Sequence, residues 1–224
     1  RLEADAPNLA AFILEPIQGE GGVVCPPAGY VEAAIALCRK HGVLSILDEI
    51  QTGLGRTGEL FACSGYTHIP DMLLLSKALG GGLMPIGACV VRPSAWDERF
   101  GRLHSSTFAN NALAATVACA TIDQLTENDN ALVRNVASNG AHIRARLDAL
   151  RDAYPEIIRE VRGRGYMLGL EFHPLEARGD SAIMAHAGLN GGVTALIASY
   201  MINVRKVLTA PLFNDSRVLR LQPP

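Results

Sequence analysis

Lysine is scarce in this chain. Of 20 basic residues among 224, only Lys40, Lys77 and Lys206 are lysines, and the formal net charge is −2. That balance leaves no basic footprint for nucleic acid and no polybasic patch for a membrane surface. No apolar run approaches the length that spans a bilayer, and no signal-peptide pattern opens the sequence. The five cysteines (25, 38, 63, 89 and 119) include no C-x-x-C pair. An odd, unpatterned set reads as buried free thiols in a reducing compartment, so the cytoplasm is expected. Repeats and low-complexity tracts are also missing. What remains is a chain that is 49% hydrophobic and 19% charged, large enough for a substantial core.

Two of the three lysines sit in basic pairs, Arg39-Lys40 and Arg205-Lys206. Lys77 stands alone, after the apolar run MLLL and before three glycines. A matching run, VLSIL, ends at Asp48, with Glu49 and Gln51 close behind. In open α/β sheets ligands sit in the crevice beyond the carboxyl ends of the strands. Two neighbouring strands would therefore carry a carboxylate and an amine to one crevice. A lysine in an apolar setting has its ammonium disfavoured by desolvation, which frees a nucleophilic amine for Schiff-base chemistry. A carboxylate such as Asp48 can keep the ring nitrogen of pyridoxal phosphate (PLP) protonated as an electron sink. Read singly, Lys77 is a lysine reaching to solvent and Asp48 a turn cap. Together, and with the glycines, they favour the cofactor reading.

The segments ILEPIQGEGG (13–22), LDEIQTGLGRTG (47–58), LLSKALGGG (74–82) and HSSTFANNALA (104–114) occur in the order found in class III PLP-dependent aminotransferases. The chain resembles the ornithine, acetylornithine, 4-aminobutyrate and diamine aminotransferases of that family, collinearly from about Ala10 to the final LRLQPP. The resemblance implies an α/β chain of PLP-dependent transferase fold type I. Residues 1–126 would form part of the large mixed-sheet domain, and 127–224 an α+β C-terminal small domain. The polar lead-in at Arg1 and the stop at Pro224 suggest truncation at both ends. The phosphate-binding helix and ring-stacking aromatic of relatives would then lie outside the chain, and the fragment alone would be inactive.

By the same resemblance Lys77 bonds the cofactor and shuttles the substrate proton, and Asp48 faces the pyridine nitrogen. Gln51 would bond the 3′-oxygen, and Thr107, with Ser106 beside it, the phosphate of the neighbouring subunit in a homodimer. Ser105 shares that hydroxyl-rich turn. Glu20 and Arg220 would pair in the substrate site, opening when a substrate brings a carboxylate. No metal site is expected. The implied reaction is ping-pong transfer of an amino group between an amine or amino acid donor and a keto acid or aldehyde acceptor. An aminomutase or decarboxylase-like activity on the same fold stays open, as does an inactive dimerisation fragment. Relatives carry glycines and a proline where this chain has Ala109, Asn110 and Ala112. Residues 188–203 depart from the ornithine-type enzymes, which points to a larger or more apolar substrate.

The secondary structure expected along the chain is a strand over 10–15, an amphipathic helix over 30–41 ended by Gly42, and a strand over 43–47. An antiparallel strand follows over 86–91. A helix comes next with Leu113, Val117, Thr121 and Leu125 on one face, then a boundary at 127–130. A second stripe runs through Leu132, Val136, Ile143, Leu147 and Leu150, followed by short strands from Glu156, an apolar helical stretch over 181–204 interrupted at Gly191-Gly192, and the strand-like pieces KVLTAP and RVLRLQ. The G-x-G-x-x-G over 53–58 is not expected to bind a dinucleotide, because no strand directly precedes it and no helix opens on it.

Overall fold

The apolar run Ala-Phe-Ile-Leu forms β1 (Ala11–Leu14), and the chain returns through α2 (Tyr30–His41) to β2 (Leu44–Asp48). These belong to a computed structural model that describes residues 2–103, 106–174, 186–187, 192–212 and 214–224. A short α1 (Leu2–Asp5) precedes β1. Helix α2 buries Val31, Ile35 and Cys38 on one face, as an amphipathic helix should. Val31 and Ile35 pack on Leu47 of β2. Gly42 ends the helix at φ 69°, and its N–H reaches back to Arg39 and Cys38, a left-handed cap that glycine takes without a Cβ penalty.

β1 and β2 pair in parallel, as do β2 and β3 (Met72–Leu75). β4 (Ala88–Val91) lies antiparallel to β3, as the short connection requires, and the strand order is β1-β2-β3-β4. Asp71 ties the start of β3 to β2 by accepting from the Ser45 N–H (2.9 Å) and Oγ (2.8 Å). A short α3 (Glu98–Leu103) precedes α4 (Ala112–Ala153).

The stripes predicted for α4 are met in part: Leu125 and Leu147 pack against buried clusters, and Val117, Thr121, Val136 and Ile143 are half-buried. Leu113 is 64% exposed, Leu132 51% and Leu150 42%, whereas Ala114, Ala118 and Val133 are buried. The inward face of the first half begins one residue later, at Ala114, and continues through Ala118 to Leu125. Ala118 and Leu125 meet Leu54, Leu75 and Leu79. The close approach selects small side chains: a Cβ on Gly81 would stand 2.7 Å from Thr121 Oγ1. At Glu127 the backbone turns extended (ψ 149°), and Asn128, Asp129 and Asn130 take φ of 51°, 58° and 57°. Asn and Asp tolerate that left-handed region better than most residues.

The second sheet is wholly antiparallel. It contains β5 (Ile158–Arg164), β6 (Met167–Phe172), β7 (Ala210–Pro211) and β8 (Val218–Leu221) in the order β5-β6-β8-β7. All six residues of β6 are buried. α5 (Val193–Arg205) places Ala198 against Ile158, Val161, Leu170, Phe172 and Leu219. Gly163 has φ 111°, and a Cβ there would lie 2.0 Å from the Met167 carbonyl oxygen, so the β5–β6 hairpin admits no side chain at that point.

The chain forms two compact units. One comprises Arg1–Pro16 and Pro26–Arg134; the other comprises Ile17–Cys25 and Asn135–Pro224. The segment 17–25 joins the second unit through its own core: Ile17 and Val23 pack with Met167, Leu212 and Val218.

Candidate active site

Two parallel strands with apolar bodies release their polar residues where their backbone pairing ends. Asp48 is the last residue of β2 and pairs with Leu74 of β3; Lys77 follows three residues after Leu74. The carboxylate and the amine therefore belong to the carboxyl ends of adjacent parallel strands, as the sequence predicts. Asp48 also performs the plainer task of a turn residue, since its Oδ1 accepts the Ile50 N–H at 3.0 Å. Gln51 is half-buried in the loop just beyond.

Lys77 opens a turn of 3-10 helix with φ 45°, in the region that favours glycine. Its neighbours fix this conformation. The Ser76 hydroxyl donates to the Ile86 carbonyl at 2.7 Å, and the Leu79 N–H donates to Ser76 O at 3.0 Å. A strained residue held by its surroundings is a frequent feature of functional sites. The side chain of Lys77 is exposed, contrary to the apolar setting expected for it. The apolar residues of this turn, Leu75 and Leu79, face the core, which leaves Lys77 on the opposite side.

Glu49 is 1% exposed, and sequence reading assigned it no role beyond its place behind Asp48. Its carboxylate accepts from Thr52 Oγ1 (3.0 Å), the Ala62 N–H (2.7 Å) and the Cys63 N–H (3.0 Å). It thereby closes the loop after β2 with charge-assisted bonds. Burial, and after it the charge of Glu49, pushes the Cys63 thiol up to about 12. The glycines of the G-x-G-x-x-G serve this loop. Gly55 and Gly58 have φ of 88° and 87°, and the Gly58 N–H bonds Gly55 O. No helix opens after them.

Ser106 and Thr107 lie in an exposed turn before α4. The Phe108 N–H reaches Ser106 Oγ at 3.4 Å, and the Ala109 N–H reaches Ser106 O at 3.0 Å. Asn111 caps α4 by accepting the Ala114 N–H at 3.0 Å, so the preceding hydroxyls are not needed for capping. Ser105 lies outside the described residues.

In the second unit Arg220 Nη1 donates to Glu20 Oε1 at 2.6 Å. Arg220 stands on β8, in register with Gly169 of β6 and Ala210 of β7. Its side chain is 18% exposed and that of Glu20 46%, so the guanidinium is the more desolvated partner. Beside them is an ion cluster that sequence reading missed. Glu171 is 5% exposed and meets Arg159 at 2.9 Å, Arg217 at 3.8 Å and Arg162 in direct contact. Burial works to raise Glu171, but the hydrogen bond and charge of Arg162, with the charges of Arg159 and Arg217, hold its carboxyl below the ordinary range. The cue in the sequence was the charge-rich run REVRGR of β5 beside the lone acid of LGLEF in β6.

The donor set suits PLP. A carboxylate of the kind that a protonated ring nitrogen needs and an amine lie at the ends of adjacent parallel strands, and Gly82 (φ 73°) lies beyond Lys77 with open space where a Cβ would stand.

Comparison with known proteins gives a consistent picture. The family model described as aminotransferase class-III matches residues 1–215. A putrescine aminotransferase of Pectobacterium atrosepticum is 41% identical over 219 residues, 97% of this chain and 43% of that protein. The ornithine aminotransferase of Toxoplasma gondii superposes with a TM-score of 0.84 at 36% identity, covering 100% of this chain and 49% of that one. For the acetylornithine aminotransferase of Elizabethkingia anophelis the values are 0.80 and 33%, with 100% and 53% covered. The chain spans about half the length of the relatives it matches. The mixed sheet and these likenesses bear out the α/β, fold type I expectation. The chain belongs to the class-III aminotransferase family.

Proposed function

We propose that this chain supplies the lysine, the ring-nitrogen carboxylate and the substrate-carboxylate pair of a PLP-dependent aminotransferase. The enzyme would move an amino group between an amine or amino acid donor and a keto acid or aldehyde acceptor, by a ping-pong route. The observation that carries the reading is the placement of Asp48 and Lys77 at the ends of adjacent parallel strands in a chain of this family. When bound, PLP supplies an electron sink for the carbanion formed at the substrate Cα.

The chain's own residues do the rest. Asp48 holds the ring nitrogen protonated, and Gln51 bonds the 3′-oxygen. Lys77 Nζ anchors the cofactor and then carries the proton taken from the substrate Cα, which a flexible amine at the end of a four-carbon stem can do. The 3-10 turn fixes where that stem begins. Ser106 and Thr107 offer hydroxyls to a phosphate, Thr107 to that of the second subunit of a homodimer. Arg220 grips a substrate carboxylate, and Glu20 neutralises it when the substrate brings none.

Residence in the cytoplasm is part of the same proposal, supported by five cysteines that are all free, although only Cys38 is buried and Cys25, Cys89 and Cys119 are exposed, not buried as expected. No described helix is long and apolar enough to cross a membrane.

Borohydride reduction of the PLP-loaded full chain, followed by peptide mass mapping, tests the reading. The reduced adduct is expected on Lys77 and is expected to vanish in Lys77→Ala. An adduct on Lys40 or Lys206 overturns it.

A further inference from the structure

Glu20 rides at the tip of a tight loop. At its base the Gln18 N–H bonds Val24 O (3.0 Å) and the Val24 N–H bonds Gln18 O (3.1 Å). Inside it, the Gly22 and Val23 N–H groups reach Gly19 O at 3.3 and 3.1 Å. Val23 is fully buried at φ 53°, an outlying conformation for a β-branched residue that only a well-determined setting maintains.

That setting includes Arg162 of β5. Its Nε donates to the Gly22 carbonyl at 2.8 Å, while Nη1 engages Glu171 and Glu160 and Nη2 faces Asp215 at 3.9 Å. The guanidinium is 11% exposed, held between the buried Glu171 and the loop backbone. The fit over Gly22 is close. A Cβ there would meet Arg162 Nη2 at 3.1 Å and Asp215 Oδ2 at 3.2 Å, and its φ of 112° already excludes other residues. A planar fork of several donors can serve a backbone carbonyl and two carboxylates together, which a single ammonium cannot do with the same geometry.

We propose that Arg162 is a specificity-determining positioning residue: by fixing Gly22 it sets how firmly Glu20 closes on Arg220. This inference rests on the substrate role assigned above to the Glu20–Arg220 pair. Loosening the loop weakens the closed pair, so a ligand carboxylate competes better for Arg220. The result is a preference for dicarboxylates over plain amines. Loss of structure alone would weaken ligand binding, which is the opposite sign.

The test is calorimetric binding of glutarate, a dicarboxylate that undergoes no transamination, to the PLP-loaded full chain. Glu20→Ala should tighten glutarate about fivefold, the effect of removing a competing half-exposed ion pair. Arg162→Gln should tighten it in the same direction, and the double variant should bind no more tightly than Glu20→Ala. Arg162→Lys keeps a charge beside Glu171, and it decides the matter if the glutamine variant does not fold; tightening is again expected. Unchanged or weakened binding in the Arg162 variants, while Glu20→Ala tightens, overturns the inference and leaves the pair intact. No change with Glu20→Ala overturns the role of the pair, and the inference with it.

Discussion

Glu20 and Arg220 lie 200 positions apart in the chain and meet at 2.6 Å, Arg220 Nη1 donating to Glu20 Oε1. A mostly buried guanidinium without a counter-charge would be costly, and Glu20 relieves that cost. A substrate carboxylate can do the same, with two parallel hydrogen bonds that lysine cannot reproduce. Arg220→Lys is therefore expected to damage the keto-acid half-reaction at least about tenfold more than the amine half-reaction, an interaction difference of about 1.4 kcal/mol. Single-turnover kinetics of each half-reaction measure this, and equal losses in both refute the switch.

Asp48 ends β2 with one carboxylate oxygen already committed to the Ile50 N–H. Asp48→Asn keeps the size and the turn bond but gives up the charge that, in the proposed role, keeps the ring nitrogen protonated. PLP should remain bound while turnover falls on the order of a hundredfold or more, the usual effect of losing one preorganised electrostatic partner. Cofactor titration and kcat on the same preparation check both halves, and wild-type turnover in the variant refutes the role of Asp48.

Glu49 closes the loop behind Asp48, and its removal should be felt in stability before chemistry. Glu49→Gln replaces one acceptor oxygen by an NH2 group, which then faces either the Cys63 N–H or the Ala62 N–H and Thr52 hydroxyl. A buried donor left unmatched costs about 1–3 kcal/mol, which urea denaturation would register. In the wild type, the Cys63 thiol, pushed up to about 12, should resist alkylation at pH 8 while the exposed Cys89 and Cys119 react. Losing the Glu49 charge should speed Cys63 alkylation. A Cys63 that reacts as fast as Cys119 in the wild type contradicts this account.

Much of the first unit was legible because its signals are local. The runs VLSIL and MLLL, the β-α-β order and the glycine after His41 specify parallel strands that end at Asp48 and near Lys77. Other features depend on contacts that no local pattern encodes. Glu49 shows no role beyond its place behind Asp48 until the turn of residues 49–63 folds over it. The first stripe of α4 was expected to begin at Leu113, yet close packing against Leu54 and Leu79 selected Ala118 and left Leu113 in solvent. Lys77 was expected to be desolvated, and the core-facing leucines on either side of it instead leave it exposed. The Glu20–Arg220 meeting was legible through resemblance alone; Arg162, which fixes the loop between them, had no signal beyond a charge alternating along a strand.

Glu171 is expected to make the second unit sensitive to acid. Burial pushes its carboxyl up, but Arg162, Arg159 and Arg217 together hold it below its ordinary value, so the folded state binds that proton less readily than the unfolded state. A depressed folded value contributes stability that is fully present above the unfolded value, about 4.3 for glutamate, and is lost as pH falls through the folded value. Wild-type stability is therefore expected to drop as pH is lowered from 5 through about 4.3 and below. Glu171→Gln should start less stable at pH 7, because three arginines lose a buried counter-charge, and should lose less on acidification. Urea midpoints of both proteins across this range measure the difference, to which the remaining carboxyls contribute alike. Parallel pH profiles for the two would show that Glu171 is not the group that titrates.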